Sequence, residues 1–281
     1  MHRVAPNGYA SLDYPGANVG LIVLPGGAIA VDAPALPADA RAWRQQAMDT
    51  AGGPILYVVL TDAHPDRLLC AGLLGAPIVT TREAYEQAAG YTDGYWRSVV
   101  DGWSRRYPAA ARELADTRVA LPEIMFSSRI TLSKGGSDVT VEQVNGAAPG
   151  SAWVYLSDSN VLFAGDTVTT QTHPFVAATP NSEAWLITLR ALRRGRSADA
   201  VVVPGRGPIT AGADTRALSD YLALARRRVR SLQRAGRSRA ETTALVAELL
   251  SAFPVLDEER DLVQRRVKAG LDRLYDELKA E

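Results

Sequence analysis

Short apolar runs that pass directly into polar or glycine-rich loops constrain this chain more than any other feature of its sequence. Residues 55–60 read Ile-Leu-Tyr-Val-Val-Leu and lead straight into Thr61-Asp62-Ala63-His64-Pro65-Asp66-Arg67. Residues 161–164 lead into Gly165-Asp166, and residues 200–203 into Pro204-Gly205-Arg206-Gly207. A fourth loop, Gly146-Ala147-Ala148-Pro149-Gly150-Ser151, follows the run 139–144. Runs this short, rich in β-branched residues and bounded by Gly and Pro, predict strands. Helical patterns alternate with them, and folds of this kind collect their active side chains at the C-terminal ends of strands.

The remaining segments fill in the same α/β architecture. Residues 18–24 and 28–32 form a hairpin around Pro25-Gly26-Gly27. An amphipathic helix follows at 37–50, then a short helix at 66–74 and a strand at 77–80. Residues 81–117 read as helical and carry Tyr85, Tyr91, Tyr95, Trp96, Trp103 and Tyr107. Further strands are expected at 129–133 and 153–156 and a helix at 182–194. From Asp214 the tail is helical in three pieces, broken near Gly236 and Pro254.

Composition removes several function classes. The 281 residues are 47% hydrophobic, enough for a full-sized core. Lys and Arg (31) balance Asp and Glu (31), so the molecule as a whole lacks the electrostatic footprint of a nucleic-acid or membrane-surface protein. No apolar run approaches the roughly 20 residues that cross a bilayer, and residues 1–15 hold no apolar signal core. A cytoplasmic location is expected. The single cysteine, Cys70, excludes an intrachain disulfide and a multi-cysteine zinc knuckle. Residues 190–239 hold thirteen arginines against Asp199, Asp214 and Asp220, a local basic excess. In a helical pattern such a stripe is usually solvated or faces another subunit.

Taken in order and spacing, the four loops resemble the motifs of the metallo-β-lactamase superfamily. The resemblance runs from about Asn18, through Val31-Asp32-Ala33-Pro34, to about Gly207. It implies an αββα sandwich over residues 1–210 with a helical insertion at about 81–117, and a helical C-terminal extension, 211–281, packed on it. In that family the first loop reads H-x-H-x-D-H, the second supplies a His, the third a bridging Asp, and the fourth reads P-G-H-G. Together they hold two metals. Carried over by position, His64, Asp66 and Asp166 match, whereas Asp62, Arg67, Ala147 and Arg206 stand where the family has histidines. With only His2, His64 and His173 in the chain, no other imidazoles can complete the set.

The replacements have a definite chemistry. A guanidinium ligates no metal but binds carboxylates through two parallel hydrogen bonds, so Arg67 and Arg206 read as counterions for Asp66 and Asp166. Asp62, His64 and Asp166 still form a one-histidine, two-carboxylate set, suited to at most one weakly held Zn, Mn or Fe. His64 is otherwise a hydrogen-bonded histidine packed against a carboxylate. Asp66 is either a first-turn carboxylate favoured by the helix dipole or a catalytic base that orients water. Asp32 reads as a structural turn residue. His173 stands in His-Pro, where family members often have a residue at the mouth of the site, and is a candidate substrate contact.

Three functions are expected, the first two from the resemblance and the third from the arginine-rich helices. The first is a hydrolase relative without the two-metal centre, metal-free, binding a small molecule or regulating. The second is a mononuclear hydrolase on Asp62, His64 and Asp166. The third is an oligomeric scaffold, such as a homo-oligomer, or a nucleic-acid binder using the arginine-rich helices. No membrane partner is expected, and nucleic acid is the least expected.

Overall fold

Two sheets face each other through their apolar sides in a computed structural model that describes residues 1–280, the side chain of Arg196 excepted. The first sheet runs in chain order: β1 (His2–Ala5), β2 (Gly8–Ser11), β3 (Val19–Leu24), β4 (Gly27–Val31), β5 (Ile55–Val59), β6 (Ile78–Thr81) and β7 (Ile124–Phe126). It is antiparallel from β1 to β4 and parallel from β4 to β7. The second holds β8 (Arg129–Lys134), β9 (Ser137–Gln143), β10 (Ala152–Leu156), β11 (Val161–Thr169), β12 (Val201–Arg206) and β13 (Thr210–Ala211), in the order β13-β12-β11-β10-β9-β8. Only β11 and β12 pair in parallel there. Sequence periodicity does not reveal β1, β2 or β7. The first is partly exposed, the second begins with glycine, and the third has only three residues.

Side chains alternate across each strand, so one residue type serves two cores. Ile22, Ile29, Val31 and Val59 point inward and meet Val154, Phe163 and Val203 of the opposite sheet. Leu21, Ala28, Ala30 and Val58 point outward, where Trp43 of α1 (Pro37–Ala51) covers them. The single turn α2 (Pro65–Leu68) and α3 (Arg82–Ala89) lie on the same side of the sandwich. The region expected to be helical at 81–117 is three helices, because Thr92 caps α4 (Asp93–Arg106) and Pro108 separates it from α5 (Ala111–Asp116). The last two, α4 and α5, pack through Trp103 and Leu114 on Leu36, Leu69 and Cys70.

The outer face of the second sheet is covered by α6 (Ser182–Leu192), α7 (Arg216–Arg234), α8 (Val246–Leu250) and α9 (Arg260–Ala280). The breaks in the tail fall where Gly236 and Pro254 lie in the sequence. Leu162, Ala164 and Val168 of β11 share one apolar cluster with Trp185, Leu222, Val267 and Leu271. A buried polar pin joins three of the helices: Glu277 Oε1 accepts from Arg226 Nη1 at 2.9 Å and from the Ser182 backbone N–H at 2.9 Å. Together the two sheets and their flanking helices make an αββα sandwich with helical C-terminal elements. Among the described residues no helix is long and apolar enough to cross a membrane.

Candidate functional site

The parallel strands deliver the polar loops to one end of the sandwich. Asp32 follows β4, Thr61 to Arg67 follow β5, Asp166 lies in β11, and Arg206 closes β12. Two glycines let these loops approach. A Cβ at Gly205 would lie 2.3 Å from Asp166 Oδ1. Gly165, at φ +54°, lies so close to Thr61 that a Cβ would stand 2.4 Å from its Oγ1.

Arg67 occupies the centre, fully buried at 0% exposure. Its guanidinium spreads over three carboxylates, with Nη1 2.6 Å from Asp62 Oδ1, Nη2 3.0 Å from Asp166 Oδ1 and Nε 3.2 Å from Asp32 Oδ2. The Nε contact is an ion pair without good hydrogen-bond alignment. Arg206 works on the outer side of Asp166. Its Nε lies 3.2 Å from Asp166 Oδ1 and its Nη2 2.9 Å from Asp66 Oδ2, while Nη1 donates to the carbonyl of Gly16 in the β2–β3 connection. Asp166 is thus shared by both arginines, and Asp66 and Asp62 take one each.

Asp32 adopts the left-handed conformation, φ +58°, which an aspartate tolerates better than a branched residue does. Its carboxylate accepts from Thr61 N–H at 2.8 Å and Thr61 Oγ1 at 2.7 Å, which ties β4 to the loop after β5. The turn role expected for Asp32 therefore carries a second contact, to Arg67, that position in the sequence does not disclose.

His64 precedes α2 and accepts the Asp66 backbone N–H on Nδ1 at 3.2 Å. A neutral ring then carries its proton on Nε2. Burial lowers the His64 pKa, with Asp66 only partly opposing, so the imidazole is neutral at pH 7. Its ring meets Phe175 edge to face, centroids 4.6 Å apart. Phe175 also carries the Arg206 guanidinium at 4.3 Å and that of Arg266, from α9, at 3.7 Å. Neither Phe175 nor Arg266 is marked by a motif; only the preceding His173-Pro174 hints at the former.

Burial works against every charge here, and the neighbours decide the sign. For Asp166, burial would raise the pKa, but Arg206 and Arg67 overcome it and hold the carboxyl far below the usual range. For Asp66, burial is again outweighed. At the acid pH where this carboxyl titrates, His64 first and then Arg206 supply the attraction that keeps its pKa low. Such a carboxylate is a weak base at neutral pH. For Asp32, burial wins and pushes the pKa up to about 6, with Arg67 opposing. Carbon-13 NMR of the aspartate carboxyls should therefore show one titrating near pH 6 and one, Asp166, still ionised at the acid limit of the folded state. Asp32, raised above its unfolded value of about 3.9, contributes stability below that pH that is lost as pH rises through 6. An Asp166 signal titrating near pH 4 would contradict the ion network.

The expected site residues divide. Asp62, His64, Asp66, Arg67, Asp166 and Arg206 converge. Ala147 falls in the apolar cluster with Val168, Val176 and Trp185. His173 is 1% exposed, packs on Tyr221 and Phe253, and places Nε2 3.2 Å from the Leu249 carbonyl. It holds α8 to the sheet and does not line the cleft above Asp66, so the candidate substrate contact is not where its motif position suggests.

The sequence profile described as the metallo-beta-lactamase superfamily matches residues 13–206, which run from just before β3 to the end of β12. The chain belongs to the metallo-β-lactamase superfamily. No curated protein matches it in sequence. Solved structures share the superfamily fold. A metallo-beta-lactamase family protein from Thermus thermophilus superimposes with a TM-score of 0.68 at 20% identity, covering 99% of this chain and 95% of that one. A beta-lactamase domain protein from Burkholderia ambifaria gives 0.67 at 18% identity, over 98% and 88%. A stereoselective inverting sec-alkylsulfatase from a Pseudomonas species gives 0.71 at 16% identity, over 98% of this chain but 49% of its own. The C-terminal helices of this superfamily member thus have counterparts beyond the matched profile.

Above the site lies a cleft of about 570 Å³. His64 and Asp66 form its floor, Trp103 and Val99 of α4 one wall, and Phe175, Leu262 and Arg266 the other. The ion pair between Arg106 and Glu259, 2.6 Å, joins α4 to the turn before α9 across it.

Proposed function

We propose that this protein is a metal-free, ligand-binding member of the superfamily, in which guanidinium groups have taken the place of a dinuclear metal centre. The observation that carries this reading is the position of Arg67, whose head contacts Asp32, Asp62 and Asp166 at once. Zinc or another divalent ion in this fold needs carboxylates free to ligate and several neutral imidazoles. Here Asp166 is engaged by two arginines, Asp62 by Arg67 and the His64 N–H, and His64 brings one imidazole whose Nδ1 is occupied. The donor set does not fit two metals. A cation added to it would also meet the fixed positive charge of Arg67 and Arg206.

The mononuclear alternative on Asp62, His64 and Asp166 requires both carboxylates to exchange a buried guanidinium for the ion. Hydrolysis by Asp66 alone would rest on a carboxylate held by Arg206. Binding of a small molecule in the cleft asks for neither change.

Elemental analysis of protein purified without chelator and then dialysed tests the reading. Zinc, manganese and iron together should stay below one equivalent per chain. Close to two equivalents would overturn it.

A further inference from the structure

Arg266 is a half-buried cation that the ion network leaves without an ion-pair partner. It lies in the middle of α9, half-buried, and makes neither a hydrogen bond nor an ion pair with any described residue. Burial and the nearby Arg206 push its pKa down to about 10, against a partial opposing pull from Asp66, Asp166 and Glu259, so it remains charged at neutral pH with no carboxylate in direct ion-pair contact. One face of its guanidinium rests on Phe175, centred 3.7 Å from the ring. Stacking of this kind covers the face of the planar group and leaves its N–H edge available for a bidentate partner.

The surroundings say what that partner is. Of the carboxylates lining the cleft, Asp66 is held by Arg206 and Glu259 by Arg106, while Glu258 and Asp261 are exposed at the rim. Arg105 and Arg265, also exposed there, have no ion-pair partner among the described residues. Between the charges, Val99, Trp103, Phe175 and Leu262 offer an apolar wall. A small site with an apolar wall and guanidinium groups left without ion-pair partners, of which Arg266 is the more buried, selects an apolar body bearing one anionic group.

Resting on the metal-free reading above, we infer that the cleft binds an apolar organic acid whose carboxylate takes the edge of Arg266. Its apolar part lies against Trp103 and Leu262. The planar fork of the guanidinium matches a carboxylate in two parallel hydrogen bonds, which selects it over a neutral head.

Calorimetric titration with octanoate, octan-1-ol and octyl sulfate as probes tests this. Octanoate should bind at least about tenfold tighter than octanol, the scale of one charge-assisted hydrogen bond. The Arg266→Gln variant should lose that advantage and leave octanol unchanged. Arg266→Lys, which keeps the charge without the fork, should recover only part. Octanol matching octanoate, octyl sulfate binding more tightly than octanoate, or Arg266→Gln leaving octanoate unaffected would overturn the inference. The same samples are analysed for metal and titrated again in EDTA. Octanoate binding that requires a chelatable metal would overturn the metal-free reading itself, whereas metal-free protein that ignores octanoate would overturn only the ligand assignment.

Discussion

Replacing Arg67 with methionine should cost about 3 to 5 kcal/mol of stability at pH 7, because it leaves carboxylates buried without their counterion. Asp32, Asp62 and Asp166 are each at most 2% exposed and all lie within ion-pair distance of this one guanidinium. Arg206 would still reach Asp166, but not Asp32 or Asp62 among its ion-pair contacts. The loss should shrink on acidification. In the parent, Asp166 lies below its unfolded value, so its stabilisation is present above about pH 4 and is lost only as pH falls further. In the variant, Asp32 loses the guanidinium that opposes its burial, so its pKa moves further up and acidification to pH 4.5 protonates it, which removes that uncompensated charge. Urea denaturation at pH 7 and pH 4.5 measures both. Equal losses at the two pH values would show that Arg67 acts through packing and not through charge.

The second large effect concerns the C-terminal helices. A chain ending at Ala211 should fail to fold to a soluble monomer. It would strip Leu218, Leu222, Val229, Val267, Leu271 and Leu274 from the cluster over β11 and α6. Burying one such side chain contributes roughly 1.5 to 3 kcal/mol, against a net stability of about 5 to 15 kcal/mol for a whole domain. Trp185 and Val168, now 0% exposed, would lose part of their cover, and Glu277 would no longer hold Ser182. Light scattering and thermal melting decide the matter. A monomeric fragment with one cooperative transition would show that residues 1–211 form an independent unit.

Most strands are visible in the sequence because they are runs of Val, Ile and Leu closed by Gly or Pro, and period and punctuation agree. The same residues mark the loops, and the family resemblance, which puts Asp66, Asp166, Arg67 and Arg206 in one site, lets the charge argument pair the acids with the arginines. What stays hidden at that level is depth. Arg67 reads as one counterion for one acid, and the structure gives it three partners, because β4 and β5 bring Asp32 and Asp62 to the same point. Ala147 and His173 occupy motif positions yet face the C-terminal helices, since the cluster over the second sheet recruits them. Arg266 carries no local signal at all. It reaches the cleft only because α9 returns across the site, a contact that no spacing within the motifs encodes.

Arg67 is tethered by covalent bonds to the fold whose charge it balances. A bound ion has a dissociation constant, and its hold on a fold weakens as the ion is diluted or sequestered. A guanidinium on one of the chain's own side chains has none. The charge balance at the meeting of the two sheets therefore holds at the same strength however scarce or abundant free metal is. A chelator in the medium should leave the melting temperature where it was.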